Sequence, residues 1–249
     1  MRCTMQTANS EKLWKSYYNS KDSSIKEKII ENYIPLIKHI VNRLNINLPP
    51  YLEYEDLISF GVFGLLQAIE RYDANKGVQF ETYAYSRIKG SIIDELRKID
   101  FVPQGVRKKA KLLQNAFAEL EQLLGRSVSD EDICNHLNIT MEELYQLYSE
   151  VSTFYNVLAF DDLIGYESGQ ASNQPEVQAE KQELKKILGN AINKLQQQER
   201  LVITLYYYEG LNFKEIAKVL DVSQGRVSQL HTKAILRLRG HLSRKKAIL

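Results

Sequence analysis

Between residues 53 and 72 apolar side chains recur at Leu57, Ile58, Val62, Leu65, Ile69 and Tyr72, a spacing that collects them on one face of an α-helix. Helical periodicity of this kind dominates the 249 residues, and no run of strict apolar–polar alternation is long enough to propose a strand. The fold class expected is therefore all-α. Breaks fall at Leu48-Pro49-Pro50, at Val102-Pro103-Gln104-Gly105, and in the Gly-, Ser-, Gln- and Asn-rich stretch 165–175. These divide the chain into helical domains over 1–101, 102–158 and 184–249, with 159–183 as an acidic linker.

The helix at 53–72 has an unusual surface. Gly61 and Gly64 lie inside it, each costing about 1 kcal/mol relative to Ala, and Phe60 and Phe63 add apolar bulk beyond a narrow stripe. A helix carrying such glycines gains close approach to something. Tight packing inside the chain's own domain and docking on another protein's helices both satisfy that requirement.

Charge is unevenly distributed, although 33 Lys and Arg nearly balance 31 Asp and Glu. Over 87–111 the basic residues are Arg87, Lys89, Arg97, Lys98, Arg107, Lys108, Lys109 and Lys111, opposed by Asp94, Glu95 and Asp100 alone. Beyond Asp221 no acidic residue occurs, while Arg226, Lys233, Arg237, Arg239, Arg244, Lys245 and Lys246 follow. Between the two basic blocks, Asp161, Asp162, Glu167, Glu176, Glu180 and Glu183 meet a single Lys over 161–183. Two basic blocks flanking an acidic connector suggest a polyanion touched at two separated places.

The C-terminal segment carries the clearest local motif. Asn212 caps a short helix with Glu215 at its third position; Ile216, Val219 and Leu220 are expected to face inward, and Ala217 is small enough for a second helix to cross closely. Asp221 stands where such turns often carry Gly. Ser223 caps the second helix, whose Val227 and Leu230 face the first and leave Gln224, Arg226, Ser228, Gln229 and Lys233 outward. That outward set can read base edges and hold phosphates in a major groove. In the middle segment Ser129 and Thr140 each precede a carboxylate by three residues, marking two helix starts with Ile133, Leu137 and Ile139 between them.

Over 78–89 aromatics and hydroxyls interleave with positive charge: Phe80, Thr82, Tyr83, Tyr85, Arg87 and Lys89. Rings stack on any base while cations hold the backbone, so the segment suits unstacked bases at roughly 1–3 kcal/mol per base stacked. Core packing of Phe80, Tyr83 and Ile88 is the competing reading.

Catalytic classes find little support. The histidines His39, His136, His231 and His241 are scattered, no paired-carboxylate metal signature stands out, and no phosphate-binding glycine loop occurs. Cys3 and Cys134 are far apart and lack metal-ligand spacing. No catalytic residue, metal or cofactor is expected. The longest uncharged run, 57–69, is shorter than the roughly 20 residues of a membrane helix; no membrane partner and a reducing cytoplasm are the expectation.

The motifs together resemble bacterial sigma factors of the sigma-70 family. Asp56-Leu-Ile-Ser-Phe-Gly-Val-Phe-Gly-Leu-Leu-Gln-Ala-Ile-Glu-Arg-Tyr-Asp73 looks like the region-two helix that clamps the polymerase coiled coil. Phe80-Glu-Thr-Tyr-Ala84 resembles the melting and minus-ten segment, and 211–238 resembles the region-four helix-turn-helix that reads the minus-thirty-five element. Arg87-Ile-Lys-Gly-Ser-Ile-Ile-Asp-Glu-Leu-Arg97, with Asp100-Phe-Val-Pro-Gln-Gly-Val-Arg107, is similar to the flagellar and sporulation class with its retained region three; Ser86 and Arg87 replace the Trp pair of housekeeping members, and Phe101 stands where many of this class have Trp.

The resemblance implies roles for particular residues. Asp56, Leu57, Ile58, Ser59, Phe60 and Leu66 would contact core RNA polymerase at its beta-prime clamp. Phe80, Thr82 and Tyr83 would trap the opened non-template strand, with Lys89, Arg97, Lys98 and Arg107 positioning the duplex just upstream and Tyr85 and Arg87 belonging to the same minus-ten contact. Asn212, Lys214, Ser223, Gln224, Arg226, Ser228, Gln229, His231 and Lys233 would form the helix-turn-helix contact. The 161–175 stretch would thread the active-site channel. Further partners implied are the beta flap, promoter DNA and an anti-sigma factor; motility and sporulation genes are the alternative targets. A stand-alone helix-turn-helix regulator accounts for the C-terminus but for nothing over 56–89.

Overall fold

The computed structural model describes residues 13–14, 16–17, 20, 22–44, 46, 48–73, 77–155 and 175–246, and among them regular structure is helical throughout. The chain divides into two compact units, Met1–Phe101 and Val102–Leu249. The segments expected as separate domains on either side of 158 thus lie in one unit. The expected linker is described only from Pro175, where a helix has already begun; the channel-threading stretch expected at 161–174 lies outside the described residues.

In the first unit α1 (Ser23–Leu44), α2 (Tyr54–Arg71) and α3 (Phe80–Lys98) pack on one another. Ile29, Tyr33, Ile37, Ile40, Val41 and Leu44 recur at three- and four-residue spacing on α1 and are buried. The glycines of α2 explain how closely α3 can lie. A Cβ on Gly64 would sit 2.8 Å from the Arg87 carbonyl oxygen, the Ile88 Cα and the Ser91 Cβ, and one on Gly61 would sit 2.5 Å from Ile37 Cγ2. Ser91 Oγ then donates to the Phe60 carbonyl at 2.9 Å, tying the two helices at their closest point. The close approach inferred for these glycines is made within the unit itself.

The second unit contains α4 (Gln104–Leu124), α5 (Asp130–Leu137), α6 (Met141–Phe154), α7 (Pro175–Asn193), α8 (Gln197–Ile203), α9 (Phe213–Leu220) and α10 (Gln224–Lys246), with a π-helical turn at Thr204–Tyr208. Ser129 Oγ accepts from the Asp132 N–H at 3.1 Å and Thr140 Oγ1 from the Glu143 N–H at 3.2 Å, so both capping boxes form where the hydroxyl–carboxylate spacing placed them. α10 is the hub: α4, α6, α7, α8 and α9 all pack against it. Its Ala234, Ile235, Leu236 and Leu238 share a core with Leu113, Phe117, Leu144, Tyr148 and Val151 of α4 and α6.

Inside this unit lies a charged pair. The fully buried Arg237 guanidinium holds the fully buried Glu199 carboxylate at 2.5 Å, and its Nη2 donates to the Val128 carbonyl. Lys233 Nζ reaches Asp130 at 2.8 Å and Glu199 at 3.6 Å. Arg237 and Lys233, counted in sequence as part of an open C-terminal positive surface, are therefore balanced inside the fold. Mutual attraction offsets a desolvation cost of several kcal/mol per ion.

Candidate polymerase and nucleic-acid interfaces

One face of α2 is left open. At 100° per residue Ser59, Phe60, Phe63 and Leu66 span an arc of ~120°; Ser59 is exposed, Phe60 and Leu66 half-buried, and Phe63 60% exposed. Phe63 belongs to this face although the residue roles above omit it; its apolar bulk outside the narrow stripe was the available signal. One assignment, that of Leu57, needs correction. Leu57 is buried in the unit's core, and the Asp56 carboxylate accepts from the Glu53 N–H at 2.8 Å, capping the helix start. Half-buried Ile58 lies about 80° outside this arc, on the side of the buried Leu65 and Ile69.

On α3 the buried positions Phe80, Ala84, Ile88, Ile92 and Leu96 fall on one side. Phe80 is 5% exposed, its ring 4.5 Å from Trp14, 4.9 Å from Tyr33 and 5.1 Å from Tyr72 between centroids. The expectation that Phe80 stacks on DNA is corrected accordingly: its ring is buried against three other aromatic rings beneath α3. Tyr33 donates to Glu81 Oε1 at 2.8 Å, and burial, helped by that carboxylate, raises the Tyr33 pKa beyond the ordinary tyrosine range. Thr82 and Arg87 are exposed, and Tyr83, Tyr85 and Lys89 half-buried, on the opposite side and its borders. The Arg87 guanidinium lies 5.6 Å from the Tyr83 ring centroid, and the Tyr72 ring lies 5.9 Å from it. Arg97 and Lys98 are exposed beyond, with Asp94 3.6 Å from Arg97 and Glu95 2.6 Å from Lys98. Arg107 belongs to the second unit, where its Nε donates to the Val102 carbonyl at 3.1 Å.

The helix-turn-helix geometry at α9–α10 follows its capping residues. Asn212 Oδ1 accepts from the Glu215 N–H at 2.9 Å while Glu215 Oε2 accepts from the Asn212 N–H at 2.8 Å. Asp221 takes the left-handed conformation at φ 52°, filling the glycine's role in the turn, and Ser223 Oγ accepts from the Arg226 N–H at 3.1 Å. Phe213, Ile216, Ala217, Val227 and Leu230 form the core between the two helices with Val202 and Tyr206. Val219, expected inside, is 60% exposed because α9 is only two turns long and its buried face is narrow.

The outward set of α10 departs further from expectation. Lys214, Ser223 and Gln224 are exposed. Arg226 instead stands 5.7 Å from the Tyr145 ring centroid of α6, and Gln229 Nε2 donates to Ser149 Oγ at 3.2 Å and to the Tyr145 carbonyl at 3.4 Å. Ser228 and Lys233 are buried. His231 is buried too, its ring among Tyr206, Tyr207 and Phe213 and its Nε2 3.0 Å from the Tyr207 hydroxyl. α6 supplies the partners of Arg226 and Gln229 and Asp130 of α5 that of Lys233, while the π-helical turn and α9 enclose His231.

Residues 29–101 match the family description Sigma-70 region 2, and residues 191–240 match Sigma-70, region 4. RNA polymerase sigma factor FliA of Pseudomonas aeruginosa is 37% identical over 234 residues, covering 91% of this chain and 94% of its own. The chain belongs to the sigma-70 family. RNA polymerase sigma-D factor of Bacillus subtilis is 34% identical over 252 residues, covering 96% of this sigma factor and 99% of that relative. Among solved structures, the cocrystal structure of the flagellar sigma/anti-sigma complex Sigma-28/FlgM is similar at a TM-score of 0.53 and 36% identity, over 87% of this chain and 95% of that one. A sigma factor is a non-catalytic subunit that binds core RNA polymerase and promoter DNA. Among the described residues no helix is long and apolar enough to cross a membrane.

Proposed function

We propose that this sigma factor directs RNA polymerase in the cytoplasm to the promoters of flagellar and chemotaxis genes. The observation that carries the reading is the extent of the likeness: relatives named FliA and sigma-D align over more than nine-tenths of the chain, and the similar solved structure is titled as a flagellar sigma factor. In this reading the Ser59, Phe60, Phe63 and Leu66 face docks on the beta-prime clamp. Thr82, Tyr83, Tyr85, Arg87 and Lys89 hold the opened non-template strand, with Arg97, Lys98 and Arg107 on the adjoining duplex. Lys214, Ser223, Gln224, Arg226 and Gln229 read the upstream element once α5 and α6 release α10, and the second unit also meets the beta flap. The FlgM complex of the similar structure extends the reading to an anti-sigma partner for this chain.

Run-off transcription with purified core polymerase, this protein and total genomic DNA, followed by sequencing of transcript starts, tests it. Starts clustered upstream of motility genes behind one shared pair of spaced elements are expected. Starts scattered as with core alone, or confined to developmental genes, would contradict the assignment.

A further inference from the structure

The basic side of α3 has two aromatic borders, and a cation supports each. Taking 100° per residue, Thr82, Ser86 and Lys89 form the middle of the exposed strip, with Tyr83 on one edge and Tyr85 about 160° away on the other. Arg87, from α3 itself, lies over Tyr83. The support for Tyr85 comes from far away in sequence: Arg43, in the last turn of α1, donates from Nη1 to the Tyr85 hydroxyl at 2.7 Å and sets its guanidinium carbon 5.7 Å from the ring centroid.

A guanidinium has donors and no acceptor, so the Tyr85 oxygen must be the acceptor in this pair. Two consequences follow. The ring is fixed in one rotamer before any nucleic acid arrives, which lowers the ordering cost of a stacking or edge contact. Drawing electron density from the oxygen also polarises the hydroxyl hydrogen, making Tyr85 a stronger donor toward a phosphate oxygen or a base acceptor. We propose that Arg43 is a positioning residue for the opened promoter strand, acting through Tyr85 rather than by touching DNA itself. The proposal rests on the sigma-factor reading of α3 given above. A tie that merely fastened α1 to α3 would add little, because Ile37, Ile40, Val41 and Leu44 of the same helix already lie buried in the unit.

The test is a double-mutant cycle on holoenzyme assembled from core polymerase and the full chain. Fluorescence anisotropy reads its binding to a single-stranded oligonucleotide carrying the non-template sequence of a promoter mapped with the wild type. Tyr85→Phe and Arg43→Gln should each weaken binding about fivefold, the size of one lost hydrogen bond, and the double variant should be no weaker than either alone. Affinity for core polymerase should stay at the wild-type value, and the thermal midpoint should fall by no more than about 2–4 °C, the effect of one lost internal hydrogen bond. Additive losses, about 25-fold in the double variant, would show that Arg43 acts independently of Tyr85 and overturn the proposal. A loss confined to the thermal midpoint would overturn it in favour of a fastening role. Wild-type holoenzyme that fails to bind the strand at all would overturn the underlying reading of α3, an outcome separate from either result.

Discussion

Gly64 and Gly90 respond in opposite ways to an added side chain. Both lie inside helices, where Gly is about 1 kcal/mol worse than Ala. An added Cβ at Gly64 meets α3 backbone and side chain at 2.8 Å, whereas at Gly90 it meets nothing within 4 Å. Gly64→Ala should therefore destabilise the chain by about 1–3 kcal/mol through overpacking, and Gly90→Ala should stabilise it by up to ~1 kcal/mol; urea midpoints at constant slope measure both. Sequence could show that a glycine in α2 needs a close neighbour. It could not show that the neighbour is α3, because that depends on how the chain returns through 72–80. Asp132 offers a residue-level test by pH. The Arg126 guanidinium, first, and the Ser129 N–H, second, hold its carboxyl well below the usual range. A lowered folded pKa gives stability that is complete above the unfolded value of about 3.9 and is lost as pH falls below it. Asp132→Asn should thus cost about 1 kcal/mol at pH 7, as a lost helix cap does, and the gap to wild type should narrow below pH ~4. A gap that stays constant down to pH 2 would refute the charged role.

At the scale of elements, α10 separates what local pattern determines from what tertiary packing decides. Its N-terminal cap, the turn at Asp221 and the apolar contacts of Val227 and Leu230 were legible, since each depends on residues within a few positions. The exposure of Ser228, Gln229 and Lys233 was not, because it depends on α5 and α6, some 80 to 103 residues away in the hydrogen bonds of Gln229 and Lys233. Periodicity shows that one helix face is polar. It does not show whether that face meets water or a polar neighbour. Asp130 is the contact through which this can be tested, since Asp130→Asn removes the charge opposite Lys233 while leaving an acceptor for the Tyr148 hydroxyl, 3.3 Å away. The free full-length variant should bind a duplex carrying the upstream element about fivefold more tightly than wild type, equivalent to ~1 kcal/mol of lost closure. Unchanged affinity in an electrophoretic titration would mean that this ion pair does not restrain α10. The pair below it behaves differently: Arg237→Met leaves the Glu199 carboxylate buried with Lys233 3.6 Å away as the remaining cation. Chemical denaturation should register a loss of about 3 kcal/mol, the lower end for a broken buried pair.

For the whole molecule, helical periodicity was enough to read an all-helical chain, and the order of the motifs was enough to place it in its family. The joining of 102–155 and 175–246 into one unit was hidden, because the charges that meet there, Asp130 with Lys233 and Glu199 with Arg237, look like surface residues in a linear sequence. On the function proposed above, opening of a promoter needs both units together with core polymerase. Permanganate reactivity of thymines at a mapped promoter measures it most directly. Thymines in the downstream element should become reactive when core polymerase and the full chain are present together, and in neither component alone. Reactivity with the chain alone, or none with the two combined while both bind the DNA, would contradict the account.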